Sequence, residues 1–104
     1  MEEIMFKSDD LIVMSLINYF ITEKNYNPMI IHGINDEIWL ENLNEEYKIV
    51  RIVSHHIHNK EQLAFDKFKL GRIVKEVKKK TLSFKVKVLS IYTDIEDDKL
   101  LSKD

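Results

Sequence analysis

The amino-acid sequence predicts one α+β domain built on a mixed four-stranded sheet with helices packed on it. Two segments carry apolar residues at helical spacing, and four carry the alternation or the β-branched content of strands. They follow the order helix, three strands, helix, strand, which is typical of an α+β domain. The 104 residues, 44% of them hydrophobic and 33% charged, suffice for one core of ordinary size. We expect the domain to cover residues 1–93 and the acidic segment 94–104 to be a linker or tail.

The first predicted elements are a helix and a hairpin. Ser8 is a candidate helix N-cap with two aspartates in the first turn, and Pro28 prevents the helix from continuing. Residues 33–36 have turn chemistry, because Gly and Asn tolerate a positive φ angle. The strands on either side of this turn are predicted over residues 29–31 and 37–43.

The remaining predicted elements are a central strand, a long helix and a final strand. Residues 47–57 carry apolar side chains on both faces, which indicates a strand covered on both sides. Asn59 is the predicted N-cap of the helix, with Gln62 at the capping-box position. The buried stripe of this helix is expected to contain Leu63, Leu70, Ile73, Val74 and Val77, widened by Phe65 and Phe68. Residues 81–93 return as a strand. The first three strands, joined by short turns, should be antiparallel, and the helical crossover allows the fourth to pair in parallel.

Composition excludes several classes of function. The chain has no cysteine, so disulfides, thiolate metal sites and a cysteine nucleophile are excluded. The net charge of −2 provides none of the global basicity that favours nucleic acid. No apolar run approaches the roughly 20 residues needed to span a bilayer, and the acidic N-terminus is unlike a signal peptide. We therefore expect a soluble chain with no catalytic role of its own and no required cofactor.

Three of the four histidines lie in the stretch RIVSHHIHNK, residues 51–60. On a strand, His56 and His58 point to one face and His55 to the other. Two histidines at positions i and i+2 can chelate one zinc or manganese ion, if further ligands come from neighbouring elements. The candidate ligands are His55, His56, His58, His32, Asp36 and Asp66. The alternative interpretation is a group of half-exposed polar residues where a strand gives way to a helix.

The predicted order of elements is also that of the restriction-endonuclease-like core. That family places an acidic residue near its second strand and an (Asp/Glu)-x-Lys pattern on its third. Here Asp36 lies ten residues before Glu46, which is followed at the required spacing by Lys48. The carboxylates would hold magnesium and the lysine would help to activate water. The pattern is short and Glu46 falls at a turn, so a nuclease-like fold without catalysis is favoured over an active nuclease.

A basic run follows in the long helix and the final strand. It could form one positive patch that meets the phosphates of nucleic acid or of anionic lipid, or it could be a solvated face. Arginine is scarce and no aromatic stacking platform is evident, which weighs against sequence-specific binding of nucleic acid. The run consists of Lys75, Lys78, Lys79, Lys80, Lys85 and Lys87.

The stretch DEIWLE (residues 36–41), followed by YKIVRIVSHHI and a long charged helix, resembles a known family. It is similar to the N-terminal cytosolic extension of rhomboid-family intramembrane serine proteases of Gram-positive bacteria. The matching parts are residues 16–20, 36–41 and 50–56, within a resemblance that covers roughly residues 10–93. The protease serine and histidine of that family lie in transmembrane helices to which nothing in this chain corresponds. The resemblance therefore gives no residue here a catalytic role.

The resemblance implies a regulatory or recruiting domain at the cytoplasmic face of the cell membrane, within a longer rhomboid protease. Such a domain would bind a protein partner, an anionic membrane surface or a divalent cation. An exposed edge strand could also make it a homodimer. The alternative is a stand-alone nuclease-like or nucleic-acid-binding protein that uses Asp36, Glu46 and Lys48.

Overall fold

A five-stranded sheet lies at the centre of the structure, with a helix on each face. The structure is a computed structural model that describes residues 1–7, 11–31, 37–44, 46–81 and 85–96. In chain order the elements are β1 (Glu2–Met5), α1 (Ile12–Asn18) with a π-helical continuation (Tyr19–Glu23), β2 (Asn27–Met29), β3 (Glu37–Asn42), β4 (Tyr47–Val53), α2 (Lys60–Thr81) and β5 (Val86–Tyr92). The strand order in the sheet is β1-β5-β4-β3-β2.

The α+β class and the mixed sheet are as predicted, but the sheet has five strands. Strands β2, β3 and β4 are antiparallel neighbours, and β5 pairs in parallel with β4 after the α2 crossover. The additional strand is β1, which pairs in parallel with the outer side of β5, from Glu2 opposite Leu89 to Met5 opposite Tyr92. Its four residues are too few to show a periodic pattern. Their strand conformation depends on pairing with a segment more than 80 residues away.

Strand β4 is covered on both faces, as predicted. Ile49 packs with the apolar side chains of α2, and Val53 packs with Leu63 of the same helix. Val50 and Ile52, which alternate with them, pack against α1 on the opposite face. Since all of these β4 side chains are buried, the strand forms the centre of a three-layer core.

Helix α1 and strand β2 depart slightly from the predicted boundaries. The predicted cap Ser8 lies outside the described residues, and the helix begins at Ile12. Asn25 takes a positive φ angle of 59°, as expected for the residue that ends this helical segment. Strand β2 lies at the sheet edge and is two residues earlier than predicted. An edge position tolerates Pro28, which has no N–H to donate. The predicted turn over residues 33–36 lies outside the described residues.

Helix α2 begins as predicted, but two aromatic residues face away from the core. The Gln62 N–H donates to the Asn59 side chain at 2.8 Å, which is the capping contact expected of this pair. Leu63, Leu70, Val74 and Val77 are buried. Phe65 and Phe68 are instead 70% and 67% exposed, so the prediction that they widen the buried stripe is wrong. Residue hydrophobicity suggested a buried position, but their helical phase places them opposite the core.

Candidate functional site

Two segments that continue the parallel strands β4 and β5 form the candidate site. The Ile57 N–H donates to the Asp94 carbonyl at 2.9 Å, and the Glu96 N–H donates to the Ile57 carbonyl at 3.1 Å. Ile57 and Ile95 form an isolated parallel bridge, and both are fully buried. Because neighbouring side chains alternate in direction, the polar residues beside these isoleucines face outward. The outward-facing residues are His56, His58, Asp94 and Glu96, which we call the histidine–carboxylate cluster.

The imidazoles and carboxylates of this cluster lie close enough together for several of them to contact one ion. His56 Nε2 is 3.7 Å from one Glu96 carboxylate oxygen, and His58 Nδ1 is 3.3 Å from the other. One ligand atom each from His56, His58 and Glu96 can be chosen so that all three lie within 4.8 Å of one another. These side chains are 33%, 60% and 54% exposed, in that order. An ion could therefore reach them directly from solvent.

Asp94 acts on the cluster through His56. Its carboxylate oxygen lies 2.9 Å from His56 Nδ1, a distance at which a protonated Nδ1 donates a hydrogen bond. This hydrogen bond raises the pKa of the His56 imidazole, and the negative charges of Asp94 and Glu96 add to the effect. It also leaves Nε2 as the nitrogen available to a metal, because the carboxylate fixes the proton on Nδ1.

The start of α2 supports the same residues from the other side. The Gln62 amide donates to the His56 carbonyl at 3.0 Å, and its oxygen accepts from the His58 N–H at 2.8 Å. The helix cap thus holds the backbone of residues 56–58, which carries both imidazoles. A site carried by such a supported backbone needs little ordering when a ligand arrives.

A second charged cluster is buried between the sheet and α2. Arg51, in β4, is fully buried, and its guanidinium forms a bidentate pair with the Asp66 carboxylate at 3.1 and 2.5 Å. It also donates to the Glu37 carboxylate at 2.9 Å, the Tyr92 hydroxyl at 2.9 Å and the Ser90 hydroxyl at 3.2 Å. All five guanidinium N–H groups therefore have an acceptor. We call these five residues the Arg51 cluster.

The charges of the Arg51 cluster are balanced internally. Burial acts to raise the pKa of the Asp66 carboxyl, but hydrogen bonds from Arg51 and Tyr92 hold that pKa below its usual value. The second Glu37 oxygen lies 3.2 Å from the Lys69 ammonium. The rings of Trp39 and Tyr92 lie 5.9 and 5.5 Å from the Arg51 guanidinium carbon. With its carboxylates engaged by cations, this cluster is suited to fixing α2 on the sheet and not to holding a ligand.

The structure brings together only part of the predicted metal site. His56 and His58 meet in the histidine–carboxylate cluster, whereas the three-residue group that could hold an ion does not include His55. Asp66 belongs to the Arg51 cluster instead. His32 and Asp36 lie outside the described residues, so their part in any site stays a prediction.

Sequence reasoning missed the two carboxylates that complete the cluster. Asp94 and Glu96 fall in the segment predicted to be a linker or tail, yet Ile95 between them is fully buried. The described packing thus extends to Glu96, three residues into that segment. The one available signal was the continued alternation of an apolar residue between two acidic ones. The pairing that brings these carboxylates to the histidines joins residues 38 positions apart and has no local signature.

Of the three residues of the nuclease pattern, Glu46 and Lys48 lie in the part of the chain that the structure describes. Glu46 precedes β4 and pairs with Lys87 of β5, at 3.2 Å. Lys48 is exposed on β4 and lies opposite Asn42 in the ladder with β3. The acidic partner Asp36 lies outside the described residues. Within the described residues, Glu46 is thus engaged by a lysine of another strand.

The fold and the cluster together define an α+β domain with an exposed histidine–carboxylate group. No family model, curated protein or solved structure matches the chain. None of the helices in the described residues combines the length and the apolar composition that crossing a membrane requires.

Proposed function

We propose that this chain is a non-catalytic regulatory domain that binds a divalent cation through His56, His58 and Glu96. The observation that carries the proposal is the convergence of two imidazoles and one carboxylate on an exposed surface. Three such ligands with a remaining open position suit zinc, and two imidazoles favour zinc over manganese. Asp94 would act in support, since its hydrogen bond to His56 orients the ring.

The location of the cluster suggests how an ion would act. His56 and His58 lie between β4 and α2, whereas Glu96 belongs to the segment that leaves β5. An ion shared by them would fasten the segment that follows β5 to the start of α2. Binding would in this way stabilise the position of residues 94–96 relative to the sheet.

We also propose that the domain belongs to a rhomboid-type intramembrane protease and lies at the cytoplasmic face of the membrane. The support is the resemblance of residues 36–41 and 50–56 to the cytosolic extension of that family. The reading frame that encodes the chain is then expected to continue into apolar segments of about 20 residues each. A frame that stops at Asp104 would overturn this assignment without affecting the metal proposal.

An NMR titration of the protein with zinc chloride tests the metal site. We expect saturable shifts confined to the amides of residues 55–58 and 93–96. The double variant His56→Ala/His58→Ala should lose them, whereas the control His55→Ala should retain them, because it removes a histidine from outside the cluster. Scattered shifts without saturation, or an unchanged response in the double variant, would reject the site.

A second candidate function is favoured by the chain order from α1 to β5. Helix, three antiparallel strands, helix and a parallel strand is the arrangement of the restriction-endonuclease-like core. The pairing of Glu46 with Lys87 disfavours a metal-holding role for Glu46, so this candidate is a nucleic-acid-binding domain without catalysis. Incubation with mixed DNA and RNA in magnesium or manganese tests it. Cleavage that is lost in Glu46→Ala would restore the nuclease interpretation. If the protein binds neither DNA nor RNA at low salt, both the nuclease and the nucleic-acid-binding interpretation are rejected.

A further inference from the structure

The outer face of α2 carries a continuous exposed stripe. Its residues recur at intervals of three and four, so they share one side of the helix. All of them are exposed, and they lie opposite the buried residues Leu63, Leu70 and Val77. This outer stripe consists of Phe65, Phe68, Arg72, Lys75 and Lys79.

The outer stripe combines exposed aromatic surface with positive charge. Phe65 and Phe68 are among the most exposed large apolar residues of the described chain, and they stand side by side on one helix. Of the described residues, none pairs with Arg72 or Lys75, and Lys79 is 3.6 Å from Glu76 on the same helix. Helices that lie at a lipid–water interface likewise combine exposed aromatic side chains with lysine and arginine.

The charge of α2 is opposite to that of the whole chain. The helix contains eight lysines and arginines against three acidic residues, whereas the net charge of the chain is −2. One of the three acids, Asp66, is buried against Arg51 and does not offset the surface charge. The helix is therefore the positive side of an acidic protein, and a negatively charged surface would orient the domain with α2 towards it.

A lipid surface fits the outer stripe better than a protein does. In a two-fold symmetric dimer through this face, a second copy of the chain would set one positive stripe against another, which like charges oppose. The stripe lies on the outer side of a 22-residue helix, so a folded partner would need a groove that matches the helix. A bilayer surface deforms around inserted rings, and long lysine and arginine side chains reach its phosphates from above.

We propose that the outer stripe docks this domain onto an anionic lipid bilayer, with α2 parallel to the surface. Phe65 and Phe68 enter the headgroup layer, and Arg72, Lys75 and Lys79 contact lipid phosphates. This goes beyond the proposed metal-binding function and uses none of the metal-site residues. The metal proposal and the lipid proposal can therefore be tested independently, and the failure of one leaves the other unaffected.

Flotation with phosphatidylcholine vesicles, with and without phosphatidylglycerol, tests the proposal. Binding should require the anionic lipid and weaken as salt rises. Arg72→Gln/Lys75→Gln should lower the affinity about 25-fold, since each basic side chain near an anionic surface contributes about fivefold. The control Lys48→Gln/Lys87→Gln removes the same charge from the sheet and should bind as the wild type does. No flotation with anionic vesicles at low salt, or equal losses in both variants, would overturn the proposal.

The aromatic part of the outer stripe needs its own test. Phe65→Ser/Phe68→Ser should lose most vesicle binding, whereas Ile30→Ser/Leu43→Ser, which removes equally exposed apolar side chains elsewhere, should not. In a Phe65→Trp variant, the new indole should shift its emission to the blue when anionic vesicles are added. Unshifted emission would overturn the lipid proposal. Capture by an acidic protein without capture by vesicles would also overturn it, and would assign the stripe to a protein partner.

Discussion

The two charged clusters of this domain use similar groups and differ in burial. In the Arg51 cluster, a fully buried cation has an acceptor for every donor. In the histidine–carboxylate cluster, the side chains are partly exposed, and apart from the 2.9 Å contact between His56 and Asp94 they share only longer contacts to Glu96. Burial enforces complete pairing, because an unpaired charge in the core costs several kcal/mol. Exposure removes that requirement, so ligand atoms remain available to an ion. The buried cluster is thus suited to stability and the exposed one to binding.

The largest expected effect comes from removing the buried cation. Arg51→Met leaves the carboxylates of Asp66 and Glu37 in the core without their main partner. The free energy of unfolding should fall by about 3–5 kcal/mol, the usual cost of breaking a buried ion pair from one side. Urea denaturation measures the change. Arg72→Met is the matched control on the surface and should stay within about 0.5 kcal/mol of the wild type. A loss in Arg51→Met as small as the control's would contradict a role in stability.

The same substitution in both clusters gives the sharpest comparison. Glu37→Gln replaces one of the two carboxylate oxygens that contact Arg51 and Lys69 with an NH2 group, which cannot accept from a cation. The free energy of unfolding should fall by about 1–3 kcal/mol. Glu96→Gln on the surface should cost less than about 0.5 kcal/mol in the absence of metal. It should nevertheless weaken zinc binding at least tenfold, roughly the loss seen even for supporting residues of metal sites. Urea denaturation measures the stability of both variants, and calorimetric titration measures their zinc affinity. If the two variants lose equal stability or equal zinc affinity, the two clusters do not have separate roles in stability and binding.

Local features of the fold could be predicted from the sequence, and non-local ones could not. The cap formed by Asn59 and Gln62 and the two-sided burial of β4 follow from residue spacing over a few positions. Strand β1 and the position of Glu96 depend on pairing with distant segments, and no short pattern encodes that pairing. Alternation along β4 puts Arg51 on the same face as Ile49 and Val53, but its burial depends on Asp66 of α2 lying opposite it. The sequence signal for this buried pair was an aspartate, Asp66, within the apolar stripe of α2.

Acid should destabilise the domain through the Arg51 cluster. The pKa of Asp66 is lower in the folded protein than its usual value of about 3.9. Its contribution to stability is therefore full above that value and is lost as the pH falls through the folded pKa. Urea denaturation from neutral to acidic pH should show the difference between wild type and Asp66→Asn shrinking below about pH 4. A difference that stays constant into acid would mean that the carboxylate is not held ionised by Arg51.

The smallest effect should come from His56, and it should have the opposite pH dependence. The pKa of His56 is raised in the folded protein by its hydrogen bond to Asp94. Its contribution to stability is full below the unfolded value of about 6.5 and is lost as the pH rises through the folded pKa.

Without metal, the stability difference between wild type and His56→Asn should therefore shrink from mildly acidic to mildly alkaline pH. Zinc should reverse this trend, because a metal binds the neutral imidazole and its affinity rises with pH. Denaturation of both proteins across this pH range, with EDTA and with zinc, measures the two slopes. A wild-type slope that zinc leaves unchanged would show that His56 titrates beside Asp94 but does not bind the ion.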